Sequence, residues 1–330
     1  MAWGYYAERG SCAGVTVIAP AETSFRHEAL FYAGEDGFLG GTLSFIRDGV
    51  AGEEPTLVVV SSPKIRALEA ELGADARRVE FADMGKLGRN PACIIPAWHQ
   101  FVTDHAAEGR RIRGVGEPIS SARSSAELVE CHQHESLLNL AFSEGPEFWL
   151  VCPYDTEGLA AEVIANAQHT HPFISNGSES RASDAYLRPG LAPGPFDGEL
   201  PAPSTEPDEL AFCTGDLSVV RAFVAKHAKA AGVDAERTAD LALAVSELAT
   251  NSLLHAGGEG TVRVWPEVAT LLCEVSDHGA PLDRPLLGRQ RPAPDQIYGR
   301  GLWLVNHLCD LVQVRSRPGG NVVRLHMKVP

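Results

Sequence analysis

The chain has 330 residues, of which 44% are hydrophobic and 22% charged, a balance typical of globular proteins. Its formal net charge is −15, so it lacks the basic surface that direct binding to nucleic acid or to a membrane surface usually requires. No stretch predicts a signal peptide or a membrane-spanning helix, and the seven scattered cysteines form no CxxC pair. We therefore expect a cytoplasmic protein with reduced thiols.

Composition divides the chain into two folded units. Residues 174–207 are rich in proline, glycine, serine and acidic residues and lose apolar periodicity, which predicts a linker. Residues 24–173 then form one unit, after an N-terminal extension at 1–23, and residues 208–330 form the other.

The first unit alternates apolar runs with helical patterns. Runs at 56–62, 92–96 and 148–154 predict strands of a sheet that is covered on both faces. The stretches PKIRALEAELG and IIPAWHQFVTDHAAEG predict helices. The fold class expected here is a layered α/β sheet domain. Lys64 follows a strand, but VVVSSPK lacks the phosphate-loop pattern.

The sequence of the second unit predicts, in chain order, two helices, two strands, a third helix and a hairpin. Its helices are LSVVRAFVAKHAKAAG, a helix capped by Asp234, and GLWLVNHLCDLV; its strands include TVRVW and LLCEVSD. VQVRSRPGGNVVRLHMKV predicts a hairpin that turns at Pro318, Gly319 and Gly320. This order is typical of an α+β two-layer sandwich with helices on one face of the sheet.

One helical stretch, SELATNSLLHAGG, places an acid, an amide and an imidazole on one side, at Glu247, Asn251 and His255. A buried amide needs a partner. For Asn251 this is either a backbone carbonyl across the core or Mg²⁺, which prefers hard oxygen ligands and phosphate oxygens. Beside a nucleotide, Glu247 could orient or deprotonate an attacking group.

Two further stretches supply glycines beside polar groups. Asp277 ends a strand two residues before Gly279. A carboxylate at this position can accept a hydrogen bond from an adenine-type amine, although the same pattern is common in ordinary turns. Gly299 and Gly301 lead into a helix, where exposed backbone N–H groups can bind phosphate. Alternatively, the two glycines serve close packing or a tight turn. The intervening proline- and arginine-rich segment predicts a lid that places Arg289 or Arg291 near the phosphates.

In this order, SELATNSLLHA, VSDHGAP and GRGLWLV resemble the N, G1 and G2 boxes of the GHKL ATPase superfamily, and more narrowly the anti-sigma-factor serine/threonine kinases. The resemblance covers about residues 208–330 and implies the Bergerat fold with ATP and Mg²⁺. It assigns Glu247 as the catalytic acid, Asn251 as the magnesium ligand and Asp277 as the adenine contact. It also places several residues in the nucleotide site: Gly279, Gly299, Arg300, Gly301 and Leu302, with His255 either there or structural at the helix end.

The departures from the superfamily are informative. Histidine kinases carry a phosphoacceptor histidine on a helical hairpin before the ATPase unit, and the predicted linker has no such hairpin. We therefore do not expect autophosphorylation on histidine. Pro281 stands where larger GHKL enzymes have glycine, as is usual in the anti-sigma branch.

The first unit resembles the MEDS sensory domain, in HEALFY, AELVECHQHESLLNLAF and FWLVCPYD. That resemblance implies the layered architecture of P-loop proteins without their nucleotide loop, and a small-molecule signal that is not identified. The candidates for contact with that ligand are His27, Tyr32, Glu130, His134, Glu135 and Tyr154. CHQHE suggests a metal site, but its helical spacing favours a structural or ligand-pocket role.

The sequence as a whole predicts a sensor-coupled anti-sigma factor that acts in transcription regulation and signal transduction. Its partners are expected to be a sigma factor, an antagonist protein phosphorylated on serine or threonine, or both, and dimers are common among such kinases. The alternative is a sequestering module whose nucleotide site is structural or lost. A metabolic ATPase is disfavoured because no substrate-handling domain is recognisable.

Overall fold

The computed structural model describes residues 24–187, 198–282, 284–292 and 300–329. The predicted extension at 1–23 and Gly299 lie outside these ranges. The described residues form two sheets, one mainly parallel and one antiparallel, with helices packed on them. Among these residues, no helix combines the length and the apolar character needed to cross a bilayer.

The first sheet has seven strands in the order β3-β2-β4-β5-β1-β6-β7. The strands are β1 (Phe25–Tyr32), β2 (Thr56–Val60), β3 (Glu80–Asp83), β4 (Ile112–Gly116), β5 (Phe148–Asp155), β6 (Phe173–Ser175) and β7 (Ser180–Ala182). All their pairings are parallel except the one between β6 and β7. All five residues of β2 are buried, as the apolar run predicts for a strand covered on both faces.

Helices cover both faces of this sheet. They are α1 (Gly34–Ala51), α2 (Ser62–Leu72), α3 (Met84–Leu87), α4 (Ile94–His105), α5 (Ser125–Ala141) and α6 (Ala161–Thr170), with 3-10 turns at Gly73–Arg78, Pro91–Cys93 and Ala106–Glu108. Phe38 and Ile46 of α1 and Leu68 of α2 belong to one hydrophobic core. Trp98 of α4 and Leu138 of α5 belong to another. The unit is therefore a layered α/β structure.

The strand predicted at 92–96 is wrong, because the residues from Ile94 onward form α4. Asn90 accepts a hydrogen bond from the Ala92 backbone N–H and Pro91 follows it, an arrangement that starts a helical turn. The apolar residues continue at helical spacing, with Trp98 and Phe101 buried. A short apolar run alone cannot distinguish a buried strand from a buried helix.

The second sheet has five antiparallel strands in the order β11-β12-β10-β9-β8. They are β8 (Asp208–Cys213), β9 (Glu259–Glu267), β10 (Thr270–Asp277), β11 (Leu311–Arg317) and β12 (Gly320–Lys328), and the helices are α7 (Leu217–Ala230), α8 (Ala235–His255) and α9 (Gly301–Leu308). Val224, Val245 and Val305, one from each helix, lie in one core with Cys273 and Leu325 of the sheet. This arrangement is a helix layer on an antiparallel sheet.

The structure adds strands that the sequence did not predict. β8 extends the second sheet at its edge, and β6 and β7 place residues 173–182 in the first sheet. The stretch predicted as a linker from residue 174 therefore begins with sheet structure. The division of the chain at 174–207 otherwise stays a prediction.

Candidate functional site

Glu247 and Asn251 of α8 both lie beside the first residue of α9. A Cβ added to Gly301 would lie 3.1 Å from Glu247 Oε2 and 3.3 Å from Asn251 Nδ2. Both side chains therefore reach the glycine backbone at the first position of α9. His255, one turn further along α8, is exposed.

Asp277, at the end of β10, is held by three hydrogen bonds. Its Oδ2 accepts from Ser252 Oγ at 2.7 Å, and its Oδ1 accepts from Asn321 Nδ2 at 2.9 Å and from the Gly279 backbone N–H at 3.0 Å. A carboxylate has about four acceptor positions. The carboxylate is thus fixed in orientation and keeps capacity for one more donor.

Gly279 lies where a side chain would not fit, since an added Cβ would come within 2.8 Å of Ala256 Cβ. Asn321, which sequence reasoning missed, donates to Asp277 from β12 and accepts from Ser316 Oγ at 2.5 Å. Its position one residue after the predicted hairpin turn is a weak signal, and only the antiparallel pairing of Asp277 with Asn321 makes the contact.

The donor set fits a magnesium–nucleotide complex. Glu247 and Asn251 offer hard oxygen atoms, which Mg²⁺ prefers, beside the positive end of α9, where backbone N–H groups favour anions. Arg300 is the exposed N-cap residue of α9. The Leu302 side chain is buried and belongs to the core of the second unit.

The segment between β10 and α9 packs against the first unit. Arg289 Nη2 donates to Gln133 Oε1 at 2.8 Å, and Arg291 Nη1 donates to Gln100 Oε1 at 3.1 Å. Leu286 packs on the apolar core of the first unit. These contacts direct both guanidinium groups towards the first unit, whereas the sequence suggested that one of them lies near the phosphates.

A buried ion pair joins the two units. Glu130 of α5 accepts from Nη1 and Nη2 of Arg315 in β11, both at 3.0 Å, and lies 3.8 Å from Arg289 Nη2. All three residues are less than 10% exposed. Burial lowers the pKa of Arg289, which the charge of Glu130 opposes. Glu130, expected to face a sensory ligand, instead contacts the second unit.

The remaining sensory candidates of the first unit lie in three places. Tyr32 donates to Glu117 Oε1 at 2.7 Å and accepts from Lys64 Nζ at 2.6 Å. Burial, with the nearby charge of Glu117, raises the pKa of Tyr32. His134 is fully buried elsewhere on α5, and desolvation lowers its pKa to about 3.

The third place is a buried group of four side chains, His27, Glu135, Cys152 and His171. His27 and Glu135 were candidates from sequence, whereas Cys152 and His171 were not. Burial, followed by the proximity of His171, lowers the pKa of His27 to about 4. Burial alone would raise the pKa of Glu135, but the proximity of His171 and His27 outweighs it and holds that pKa well below its usual range.

Tyr154, another candidate, lies beside this group. Its ring meets the His171 ring edge-on, with centroids 5.5 Å apart. In contrast, Cys131 of the CHQHE stretch donates to the Pro118 carbonyl at 3.3 Å. Among the described residues, Cys131, His132 and His134 lie outside the buried group, and Glu135 alone joins it from that stretch.

Comparisons with known proteins match both units. The model of the MEDS domain (methanogen/methylotroph, DcmR sensory domain) matches residues 26–172, and the model of the histidine kinase-like ATPase domain matches residues 212–327. The anti-sigma F factor of Pasteuria penetrans is 31% identical over 133 residues, which cover 37% of this chain and 88% of that protein.

A solved structure, of the RsbU and RsbW domains of Rv1364c from Mycobacterium tuberculosis, shares 19% identity with a TM-score of 0.29. The match covers 38% of this chain and 32% of that chain. The chain therefore spans about a third of the length of that protein.

Proposed function

Since the chain belongs to the anti-sigma F factor family through its histidine kinase-like ATPase domain, and carries a MEDS domain before it, we propose that it is a sensor-coupled anti-sigma serine/threonine kinase. Its ATPase unit binds a sigma factor and phosphorylates an antagonist protein with Mg-ATP. The MEDS unit receives a small-molecule signal. The six cysteines in the described part of the chain are free thiols, as is usual in the cytoplasm.

The observation that supports the kinase proposal is the convergence of Glu247 and Asn251 on the N-terminus of α9. Asn251 would hold Mg²⁺, which neutralises charge on the phosphates, and the N–H groups of α9 would bind those phosphates. Asp277, fixed by three donors, would accept from the adenine amine. Glu247 would take the proton of the attacking hydroxyl.

The contacts between the units give the proposed sensor a route to the kinase. The MEDS unit holds the segment at 284–292, just before the phosphate-binding helix, through Gln133, Gln100 and the core contact of Leu286. Glu130 of α5 also holds β11. A signal that stabilises one arrangement of α5 over another would thereby change the position of that segment.

Titration of ATP into the full chain tests the nucleotide site. We expect Mg²⁺-dependent binding that Asn251→Ala and Asp277→Asn each weaken about tenfold or more, because each removes a polar contact to a charged or buried ligand group. Asn251→Ala should also abolish most of the magnesium dependence. Folded protein that binds no ATP, or variants that bind like the wild type, would contradict the site.

Phosphoryl transfer is tested separately, with candidate antagonist proteins and labelled ATP. We expect Glu247→Gln to slow transfer about 100-fold or more while ATP affinity is retained, since it removes only the proton acceptor. Tight binding of a sigma factor without any transfer by the wild type would instead support the sequestering module.

A further inference from the structure

Four elements of the MEDS unit direct ligand atoms into one buried space. His27 lies on β1, Glu135 on α5, Cys152 on β5, and His171 directly after α6. One atom of each lies within 4.8 Å of the others, and all four residues are buried. Glu135 Oε2 is 3.1 Å from His27 Nε2, 3.3 Å from His171 Nε2 and 3.6 Å from Cys152 Sγ, which is 3.4 Å from His27 Nε2.

The surroundings fix the tautomer of both histidines. His171 Nδ1 lies 2.8 Å from the Ala167 carbonyl oxygen, which can only accept, and 3.0 Å from Thr170 Oγ1, which can accept or donate; the carbonyl therefore places the proton on Nδ1. His27 Nδ1 lies 3.2 Å from Asn139 Oδ1, and Asn139 Nδ2 donates to the Thr170 carbonyl at 2.7 Å, which sets the amide orientation. His27 Nδ1 is therefore also a donor.

Each neutral ring then presents the lone pair of its Nε2 to Glu135 Oε2, which is itself an acceptor. A proton on both Nε2 atoms would remove the conflict, but it would place two cations and one anion in a fully buried site. A single divalent cation between the four ligand atoms removes it without excess charge. Two atoms of this group, Glu135 Oε1 and His171 Nε2, have no hydrogen-bond partner in the described structure, and neither has Oη of the neighbouring Tyr154.

We propose that these four residues form a zinc site, with His27 Nε2, His171 Nε2, Glu135 Oε2 and Cys152 Sγ as ligands. In a tetrahedral zinc site with bonds of about 2.0 Å to nitrogen or oxygen and about 2.3 Å to sulfur, pairs of nitrogen or oxygen ligands lie about 3.3 Å apart and pairs that include sulfur about 3.5 Å apart. Four of the six ligand pairs have the distances given above, from 3.1 to 3.6 Å, which are close to this spacing, and the group as a whole lies within 4.8 Å.

The net charge of the ligands and the hydrogen bonds of the two histidine Nδ1 atoms also favour Zn²⁺. Zn²⁺ with one thiolate, one carboxylate and two neutral imidazoles has no net charge, which suits complete burial. The Cys152 thiol proton leaves to solvent as the zinc–sulfur bond forms. The hydrogen bonds from both Nδ1 atoms to protein oxygens are those that orient metal-bound histidines.

The site also has a direct path to the second unit. Glu135 lies five residues after Glu130 on α5, and Glu130 holds Arg315 of the ATPase unit. Zinc that fixes α5 to β1, β5 and the end of α6 would therefore stabilise the helix that contacts the ATPase unit. The zinc site itself does not depend on kinase activity.

The test is metal analysis of the full chain. After chelator treatment and dialysis we expect one Zn²⁺ per chain on titration with zinc salt. Cys152→Ser and His171→Gln should weaken binding more than about 100-fold, since loss of even a second-shell partner typically costs 10–100-fold. Cys131→Ser is the matched control, because Cys131 is an equally buried cysteine outside the group. It should bind zinc like the wild type.

Cobalt titration of the wild type gives an answer that does not depend on whether variants fold. A tetrahedral Co²⁺ spectrum with a thiolate charge-transfer band would support the site. Folded wild type that binds neither metal stoichiometrically, or that binds cobalt without a thiolate band, would overturn the proposal. Equal loss of zinc in Cys152→Ser and Cys131→Ser would also overturn it.

Discussion

At the scale of single residues, Gly301 allows Glu247 and Asn251 to approach the first turn of α9. An added Cβ would lie only 3.1 Å from the Glu247 carboxylate and would displace it. We expect Gly301→Ala to weaken Mg-ATP binding by about tenfold, which corresponds to an overpacking cost of 1–2 kcal/mol. The free energy of unfolding should change by less than about 1 kcal/mol, because alanine suits a helix.

Calorimetric titration and urea unfolding measure the two effects. Gly40→Ala in α1 is the control, since nothing lies within 4 Å of its added Cβ, and it should leave ATP affinity unchanged. If Gly301→Ala bound ATP as tightly as this control does, the first turn of α9 would not contact the nucleotide.

The two candidate sites differ in how far the sequence could predict them. Glu247 and Asn251 are four residues apart on one helix, so helical geometry alone places them on one side. Cys152 and His27 share a site only because β5 pairs with β1 in a register that sets Ala29 opposite Cys152. Such long-range pairing cannot be derived from local spacing, and His171 joins through the packing of a third element.

At the scale of elements, α8 carries Glu247 and Asn251 of the proposed nucleotide site, and its stability depends on the cap at its N-terminus. Asp234 accepts from the Arg237 backbone N–H at 2.9 Å, which satisfies one of the free donors of the first turn. We expect Asp234→Ala to lower the free energy of unfolding by about 1 kcal/mol, measured by urea denaturation. Asp234→Asn should cost much less, because asparagine caps equally well.

Equal losses in both variants would attribute the effect to the charge of Asp234 and not to capping. The cap itself was predicted from sequence, because aspartate before an apolar period is a local signal. The strand predicted at 92–96 failed at the same scale, since the run ACIIP suits a buried strand and a buried helix equally until Asn90 and Pro91 start the turn.

At the scale of the whole molecule, the contact between the MEDS and ATPase units contains two arginines that share one carboxylate as their counter-charge. Glu130 holds Arg315 and lies near Arg289, and all three are buried. Glu130→Gln would leave both cations without a counter-charge, and loss of one partner of a buried pair typically costs about 3–5 kcal/mol. We therefore expect this variant to loosen the interface, not the core of either unit.

Hydrogen exchange followed by mass spectrometry shows whether the interface or the core of a unit has loosened, because it measures exchange segment by segment. In Glu130→Gln, exchange should rise in residues 284–292 and 311–317 and stay unchanged in β2 and β10, whose hydrogen bonds lie inside the two sheets. Glu144→Gln is the control, because Glu144 is an exposed glutamate of the same unit.

In the double variant Glu130→Gln/Arg315→Gln the effect should be smaller than the sum of the single variants, since removing Arg315 also removes one unpaired cation. Unchanged exchange in both residues 284–292 and 311–317 would mean that Glu130 does not hold the units together, and the part of the proposed route that runs from α5 through Glu130 to β11 would then be wrong.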